Sequence, residues 1–371
     1  MTLWIPGPTE VRPSILAELA RPPIGHRSAG MKDLHHRIDG PLALAFGLAP
    51  DSPSTVAVHS ASGTAIMEAA LLGVGKRVLS LINGAFSKRF AAVAEALGKE
   101  VTRIEVPMGQ VVDPMEVAQA LDTKGPFDAM TVVSSETSTG TATPLAPLAK
   151  VLEKHPHVRF LVDVVSMIAA GPIDFDTNRV DFALAGVQKA LALPPGIAVM
   201  CCSERYLAEA QKRNRPSWYL DPVRIIEGHA AQKTPATPAV PHYYALAQQL
   251  EDISAGVTLP KGHAPVEGPA AWQARYEVHS AMRARTVEWA EGHGLSLLPA
   301  PEFAAPAVSC IQAGKLNVAA LVAGLTEKDY SISNGYGDLK GKTFRIGHMG
   351  DHTLEGLNML LAAADQVIAK L

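Results

Sequence analysis

Two charged residues interrupt apolar runs in the middle of the chain, and both are suited to covalent chemistry. Asp163 stands within the apolar run 161–165, where a buried carboxylate needs a cation or several hydrogen bonds. Lys189 follows the next apolar run and precedes Ala190 and Leu191. An apolar environment lowers the pKa of a lysine, and the neutral amine can attack a carbonyl carbon. A lysine at a strand end can also extend its charge into water, so this residue alone decides nothing.

A third candidate is the turn Ser60-Ala61-Ser62-Gly63-Thr64, which follows a strand-like run and opens a helical one. The N-terminus of a helix offers free N–H groups and the positive end of the helix dipole, which suits a phosphate. Ser62 or Thr64 would serve equally well as an ordinary helix cap. The turn matches neither of the glycine-rich nucleotide loops.

These residues lie where short β-rich runs alternate with helical patterns, from residue 55 to about 203. Such alternation predicts an α/β fold with a mostly parallel sheet covered by helices. The predicted strands are Thr55–Ser60, Arg77–Asn83, Glu100–Val106, Ala129–Glu136, Arg159–Val165, Phe182–Gln188 and Ala198–Ser203. The predicted helices between them include Ala65–Leu72, Phe86–Leu97, Pro114–Leu121 and Leu145–Lys154.

The alternation stops at about residues 204–265, where proline is frequent. A long helix is predicted over Ala270–His293, followed by a smaller α+β pattern that ends in a helix over Leu354–Leu371. We therefore predict three parts: an N-terminal arm over residues 1–20, a large domain over residues 21–258 and a small C-terminal domain over residues 259–371.

The composition is typical of a globular chain and excludes several kinds of binding. Hydrophobic residues make up 47% and charged residues 19% of the 371 residues. The net charge of −3 leaves no basic surplus for nucleic acid or a membrane surface. No apolar run reaches the length of about 18 residues that a membrane helix needs. The three cysteines form no CxxC pair, and the histidines lack the spacing of a metal site, so no metal is predicted.

The two chain ends carry the only information on location. The start has no basic region before an apolar one and is not a signal peptide, so we predict a cytoplasmic protein. The last residues, Ala369-Lys370-Leu371, are close to the Ser-Lys-Leu type of peroxisomal signal. The end of an amphipathic helix explains the same residues more simply.

Seven segments, spread over nearly the whole chain, carry a resemblance to one family. They are 6–9 (PGPT), 62–69 (SGTAIMEA), 83–86 (NGAF), 136–140 (ETSTG), 163–165 (DVV), 188–196 (QKALALPPG) and 344–347 (FRIG). In this order they resemble the class V pyridoxal-phosphate-dependent aminotransferases, above all the alanine–glyoxylate and serine–pyruvate branch. The resemblance implies the aspartate-aminotransferase fold (fold type I): a large domain with a mostly parallel seven-stranded sheet, plus a small α+β C-terminal domain.

The resemblance also implies pyridoxal 5'-phosphate as the cofactor and a role for each matching residue. Lys189 would carry the cofactor as a Schiff base and move protons, while Asp163 would pair with the pyridine nitrogen. The other implied cofactor residues are Ser62, Gly63, Thr64 and Gln188 at the phosphate, Phe86 and Val165 on the two ring faces, and Thr137 near the ring hydroxyl.

Further implied roles concern the substrate and a second subunit. Arg345 would bind the substrate carboxylate through its planar fork. Thr237 matches a position that reaches the phosphate of a neighbouring subunit, so a homodimer with shared active sites is implied. Thr234 stands in the same cofactor-binding stretch, where relatives often carry tyrosine, and Phe86 stands where they often carry tryptophan. These two departures leave the substrate preference more open than the fold.

The implied reaction moves an amino group from alanine or serine to glyoxylate or pyruvate. One alternative is phosphoserine aminotransferase, with phosphohydroxypyruvate as the acceptor, because a similar His-Arg-Ser occurs there; His26 and Arg27 would bind the substrate phosphate. A lyase or desulfurase is less well supported, because Cys310 lies in a strand-like run and an attacking thiol needs exposure. A non-catalytic cofactor-binding paralogue would have no need for Lys189, Asp163 and Arg345 together.

Overall fold

The computed structural model describes all 371 residues, which form fifteen strands and twelve α-helices. The strands are β1 Thr2–Leu3, β2 Thr55–His59, β3 Arg77–Ile82, β4 Glu100–Glu105, β5 Ala129–Val133, β6 Ser135–Glu136, β7 Thr141–Ala142, β8 Arg159–Asp163, β9 Phe182–Gly186, β10 Ala198–Cys202, β11 Ser296–Leu297, β12 Val308–Gln312, β13 Tyr330–Ser331, β14 Ser333–Asn334 and β15 Thr343–Gly347. The helices are α1 Pro13–Leu19, α2 Ala29–Phe46, α3 Gly63–Leu72, α4 Ala85–Ala96, α5 Pro114–Lys124, α6 Leu145–Leu152, α7 Glu204–Gln211, α8 Pro222–Ala230, α9 Val240–Ser254, α10 Pro269–Gly292, α11 Val318–Thr326 and α12 Leu354–Ile368.

A seven-stranded sheet forms the centre of the molecule, in the order β2-β10-β9-β8-β5-β3-β4. Strand β10 runs antiparallel to both of its neighbours, and every other pair is parallel. All positions of β5, β9 and β10 are buried, as their nearly continuous apolar sequences require in a sheet covered on both faces. The predicted α/β fold and its seven sheet strands are confirmed.

The parallel part of the sheet sets the position of the two candidate residues. Strands β8 and β9 are parallel neighbours, and Asp163, the last residue of β8, lies opposite Leu184 of β9. Lys189 follows three residues after Gly186, where β9 ends. Because parallel strands end at one edge of a sheet, the carboxylate and the lysine are delivered to the same side.

The proline-rich stretch after β10, which broke the predicted alternation, contains three helices, α7 to α9. Pro222 and Pro241 stand in the first turns of α8 and α9, where the missing N–H costs no hydrogen bond. The same holds for Pro269 at the start of α10 and for Pro13 at the start of α1. Proline in this stretch is therefore compatible with helices that begin at or just before it.

The C-terminal part contains a four-stranded sheet in the order β11-β12-β15-β14, packed against α10, α11 and α12. The first residues of the chain join this part, because β1 pairs with β13 and Trp4 stacks on His352 at 3.9 Å. The division at residues 20 and 258 stays a prediction. No helix combines the length and the apolar character needed to cross a membrane.

Candidate active site

A cavity of about 140 Å³ opens at the edge of the sheet where β5 and β8 end and where α3 and α4 begin. The predicted residues that line it are Ser62, Gly63, Thr64, Phe86, Thr137, Asp163, Val165, Gln188 and Lys189. The lining residues that the sequence did not single out for a role are Met67, Arg89, Val133, Ser135 and Ser166. Segments more than a hundred residues apart in sequence thus share one cavity.

Asp163 is a buried carboxylate, 4% exposed, that lines this cavity. Within the chain its side chain accepts one hydrogen bond, from the backbone N–H of Val165 at 2.8 Å. Burial raises the pKa of Asp163 to about 7, and the negative charge of Glu136 acts in the same direction. A buried carboxylate with a single donor still has room for a cationic N–H group from a ligand.

The side chain of Lys189 lies in the same cavity and donates a hydrogen bond to the backbone carbonyl oxygen of Pro6. Burial lowers the pKa of Lys189 to about 8, and the positive charge of Arg345 lowers it further. Near neutral pH the uncharged fraction of this amine is therefore larger than that of an ordinary lysine. The uncharged amine is the form that attacks a carbonyl carbon.

The first turn of α3 lies at another wall of the cavity. Ser62 is the residue before the helix, and its hydroxyl accepts a hydrogen bond from the backbone N–H of Ala65 at 3.3 Å. Gly63 packs so closely that a Cβ would lie 3.1 Å from the Val165 side chain. The backbone N–H groups of this turn therefore come near the cavity, as binding a phosphate at a helix N-terminus requires.

Phe86 stands in the first turn of α4 and is held there by Glu136, a residue to which the sequence assigned no role of its own. Glu136 is fully buried, and its carboxylate accepts hydrogen bonds from the backbone N–H groups of Phe86 (2.9 Å) and Ser87 (3.0 Å). A carboxylate at a helix N-terminus is stabilised by the helix dipole. The sequence gives no signal for this contact, because the helix that Glu136 holds begins about fifty residues earlier in the chain.

Arg345 lies in β15, outside the residues that line the cavity, and the residue is buried, with 8% of its surface exposed. Nε and Nη2 both donate to the backbone carbonyl oxygen of Asn334 at 3.1 Å, and Nη1 donates to that of Thr137 at 3.2 Å. Thr137 lines the cavity, so Arg345 is fixed against its rim with further N–H groups still available.

Besides Arg345, four predicted residues lie outside the lining of the cavity of their own chain. His26 and Arg27 lie in the turn before α2, where Arg27 is exposed. Thr234 and Thr237 lie beside a second, smaller pocket together with Ser60 and Tyr219. Thr237 is exposed, and Thr234 holds its hydroxyl buried without a hydrogen-bond partner. Their predicted roles at a shared active site or at a substrate phosphate stay predictions.

The residues of the cavity fit pyridoxal phosphate by their donor chemistry. Asp163 offers a buried carboxylate for a protonated pyridine nitrogen, and Lys189 offers an amine of lowered pKa for the aldehyde. The N-terminus of α3 offers a site for the phosphate, and Phe86 and Val165 offer apolar surface for the ring. No lining residue requires a different kind of group.

Comparison with known proteins decides the family. The model of the aminotransferase class-V family matches residues 58–259, more than half of the chain. The chain belongs to the class V aminotransferases. The matched residues of this class V aminotransferase contain every lining residue of the cavity described above.

Relatives of this class V aminotransferase carry more than one kind of name. The small subunit of a soluble hydrogenase from Synechococcus sp. is 30% identical and aligns with 100% of this chain and 93% of its own length. An L-aspartate–glyoxylate aminotransferase from Paracoccus denitrificans is 30% identical over 100% of this chain and 91% of its own. A serine–glyoxylate aminotransferase from Methylorubrum extorquens is 30% identical and aligns with 98% of this chain and 89% of its own length.

Solved structures of aminotransferases superimpose on the class V aminotransferase over almost its whole length. An alanine–glyoxylate aminotransferase from Nostoc sp. has a TM-score of 0.87 at 27% identity, covering 98% of this chain and 94% of its own. An aspartate aminotransferase of subgroup IV from Thermus thermophilus has a TM-score of 0.87 at 28% identity, covering 100% and 99%. The fold of pyridoxal-phosphate-dependent aminotransferases, fold type I, is thereby confirmed.

Proposed function

We propose that the protein is a pyridoxal-phosphate-dependent aminotransferase that moves the amino group of alanine or serine to glyoxylate or pyruvate. The observation that carries the proposal is the pair Asp163 and Lys189 in one cavity. Burial raises the pKa of the carboxylate to about 7 and lowers the pKa of the amine to about 8. Two groups shifted in opposite directions at one site are typical of acid–base and covalent catalysis.

Each residue then has a task that follows from its position. When bound, pyridoxal phosphate supplies an aldehyde that takes up amino groups and a protonated ring that accepts electrons. Asp163 holds the proton at the ring nitrogen, because its carboxylate is buried and lacks another cation. Lys189 would hold the cofactor through its amine and would move the proton at the Cα of the amino donor.

Arg345 binds the carboxylate that every amino-acid donor carries. Its guanidinium is already fixed by the carbonyl oxygens of Asn334 and Thr137, so little side-chain freedom is lost when a substrate binds. The names of the glyoxylate-dependent relatives support a small oxo acid as the acceptor.

We also propose a homodimer in which Thr237 reaches the cofactor phosphate of the partner. Thr237 lies close to the turn before α3, because the backbone N–H of Ala239, two residues later, donates to the Ser60 hydroxyl at 2.9 Å. The Tyr219 hydroxyl, from another segment, donates to the Ser60 carbonyl oxygen at 2.6 Å. An exposed threonine beside the proposed phosphate turn is well placed to serve a neighbouring subunit. Sedimentation of the wild-type protein at decreasing concentration, followed by cofactor absorbance, tests this.

The experiment that tests the function is a substrate panel. The purified protein, loaded with pyridoxal phosphate, is assayed with alanine, serine, aspartate and phosphoserine as donors and with glyoxylate and pyruvate as acceptors. We expect alanine or serine with glyoxylate to give the highest kcat/KM, and we expect Lys189→Ala to abolish turnover. Preference for phosphoserine, or equal turnover by Lys189→Ala, would contradict the proposal.

No observation favours the other reactions. His26 and Arg27, which would hold a substrate phosphate, lie outside the cavity of their own chain. A phosphoserine aminotransferase from Cytophaga hutchinsonii is 20% identical and shares the fold. The thiol of Cys310 is fully buried in β12, and burial raises its pKa, which is the opposite of what a desulfurase needs.

We propose the cytoplasm as the compartment. The alternative, a peroxisomal address, would use Ala369-Lys370-Leu371, which follow α12 and are all exposed. A fluorescent protein fused before these residues and expressed in a eukaryotic cell distinguishes the two locations.

A further inference from the structure

We infer that Arg89 is the counter-ion of the cofactor phosphate, a role that no predicted residue fills. The inference rests on the proposed function, because it concerns the same cavity and the same cofactor. Arg89 lies in α4, one turn after Phe86, and lines the cavity beside Ser62, Gly63 and Thr64.

Two contacts direct the guanidinium of Arg89 toward the N-terminus of α3. Its Nη1 lies 3.5 Å from the hydroxyl oxygen of Thr64, and its carbon Cζ lies 4.8 Å from the centre of the Phe86 ring. Stacking on an aromatic ring holds a guanidinium without neutralising its charge. The side chain thus reaches across from one helix to the phosphate turn of another.

Arg89 has no carboxylate partner, which distinguishes it from its neighbours. Lys88, the preceding residue, pairs with Glu105 at 2.6 Å, and the exposed Arg103 pairs with Glu95 at 2.8 Å. No acidic side chain lies within 4.0 Å of the Arg89 guanidinium. An arginine that lines a cavity with its charge unpaired is suited to an anionic ligand.

The charge of the phosphate requires such a group. The other residues of the phosphate turn, Ser62, Gly63 and Thr64, are neutral, and a helix N-terminus contributes about half an elementary charge. Lys189 cannot serve, because its amine is used to bind the cofactor aldehyde. The buried carboxylates nearest this site, Asp163 and Glu136, add negative charge to the same region. Arg89 is the remaining cation among the lining residues.

The test compares the binding of pyridoxal 5'-phosphate and of pyridoxal, which lacks the phosphate, to the cofactor-free protein. Binding is followed by cofactor absorbance and by quenching of tryptophan fluorescence. We expect Arg89→Gln to lower the affinity for pyridoxal phosphate by about ten- to a hundredfold, the value of one charge-assisted hydrogen bond. The affinity for pyridoxal should stay unchanged within about twofold. Lys88→Gln, which removes the same charge one residue earlier, should change neither affinity by more than about twofold.

A second readout uses salt. The affinity of the wild-type protein for pyridoxal phosphate should fall more steeply with ionic strength than that of Arg89→Gln. Arg89→Lys, which keeps the charge but loses the planar fork, should recover part of the affinity. Circular dichroism of each variant checks that its helix content equals that of the wild-type protein before binding is measured.

The outcomes separate the inference from the proposed function. Equal losses for pyridoxal and pyridoxal phosphate, or no loss for either, would overturn the role of Arg89. A normal affinity for pyridoxal phosphate with a raised KM for aspartate alone would overturn it too, and would place Arg89 at the second carboxylate of a dicarboxylic donor. A wild-type protein that does not bind pyridoxal phosphate would contradict the proposed function itself.

Discussion

The side-chain nitrogen of Lys189 donates a hydrogen bond to the backbone carbonyl oxygen of Pro6, which lies 183 residues earlier in the chain. Gly7 follows, with a φ of +90° that favours glycine, and a Cβ at this position would lie 2.5 Å from Cδ of Lys189. The start of the chain thus lies directly against the lysine of the candidate active site. Four predictions follow from this contact and from the others in the cavity.

Gly7→Ala should impair cofactor attachment more than it impairs folding. The added methyl group would displace the lysine side chain, whereas the cost of a positive φ is about 1 kcal/mol. Gly98→Ala is the matched control, because Gly98 also has a positive φ, +73°, with no atom within 4 Å of the added Cβ. Denaturant unfolding should show similar losses for both variants, while absorbance should show slower cofactor binding for Gly7→Ala alone. Equal binding rates in both would refute the contact.

Lys189 should be the residue that carries the cofactor. Borohydride reduction of the loaded protein, followed by peptide mass spectrometry, should place the cofactor on the peptide that contains Lys189. Lys99 is the suitable control, because burial lowers its pKa as well although it lies outside this cavity. Lys99→Ala should keep the attachment and Lys189→Ala should lose it. Labelling of Lys99 in the wild-type protein would mean that lowered pKa alone, and not the cavity, determines attachment.

Asp163→Asn should stabilise the cofactor-free protein at high pH. The folded protein raises the pKa of Asp163 from 3.8 to about 7, so the folded state binds this proton more tightly than the unfolded state. The contribution of Asp163 to the free energy of unfolding is therefore fully present below about pH 4 and is lost as the pH rises to about 7. The advantage of Asp163→Asn should grow over the same window, toward about 4 kcal/mol.

The measurement is denaturant unfolding of the cofactor-free protein at several pH values, with the exposed Asp51→Asn as a control. The loaded enzyme should respond in the opposite way, because asparagine cannot hold the proton at the ring nitrogen, and turnover should fall by about a thousandfold. If the free energies of unfolding of Asp163→Asn and of the wild type differ by the same amount from pH 4 to pH 8, the folded protein does not raise the pKa of Asp163. The description of Asp163 as a buried carboxylate that lacks a cation would then be wrong.

Arg345→Lys should weaken the binding of every amino-acid donor to the same extent. Lysine cannot reproduce the paired bonds to Asn334 and Thr137 or a two-point contact with a carboxylate. We expect KM to rise by about ten- to a hundredfold for alanine, serine and aspartate, with the affinity for pyridoxal phosphate unchanged. Arg285→Lys, a partly exposed arginine of α10 that lies outside the cavity, should leave all these constants unchanged. An effect confined to one donor would mean that Arg345 recognises a side chain.

The sheet and most of the cavity were predictable because their signals are local. Strands such as β9 and β10 are continuous apolar runs, and Asp163 and Lys189 stand at or just beyond strand ends. The contacts of Glu136 and Arg89 were not predictable, since each acts on a helix from another part of the chain. Prolines such as Pro222 gave no clear signal, because the residue is favoured both in loops and in the first turn of a helix.

The pairing of β1 with β13 has a consequence for how the chain becomes active during its synthesis. Thr2 and Leu3 are made more than 320 residues before their partners, Tyr330 and Ser331. The carbonyl oxygen of Trp4 likewise has its hydrogen-bond donor, the backbone N–H of Gly347, only after that residue has been made. The segment that contacts Lys189 therefore lacks these two anchors until residues 330–347 have been made. A nascent chain that already contains the whole seven-stranded sheet would not yet have a finished active site.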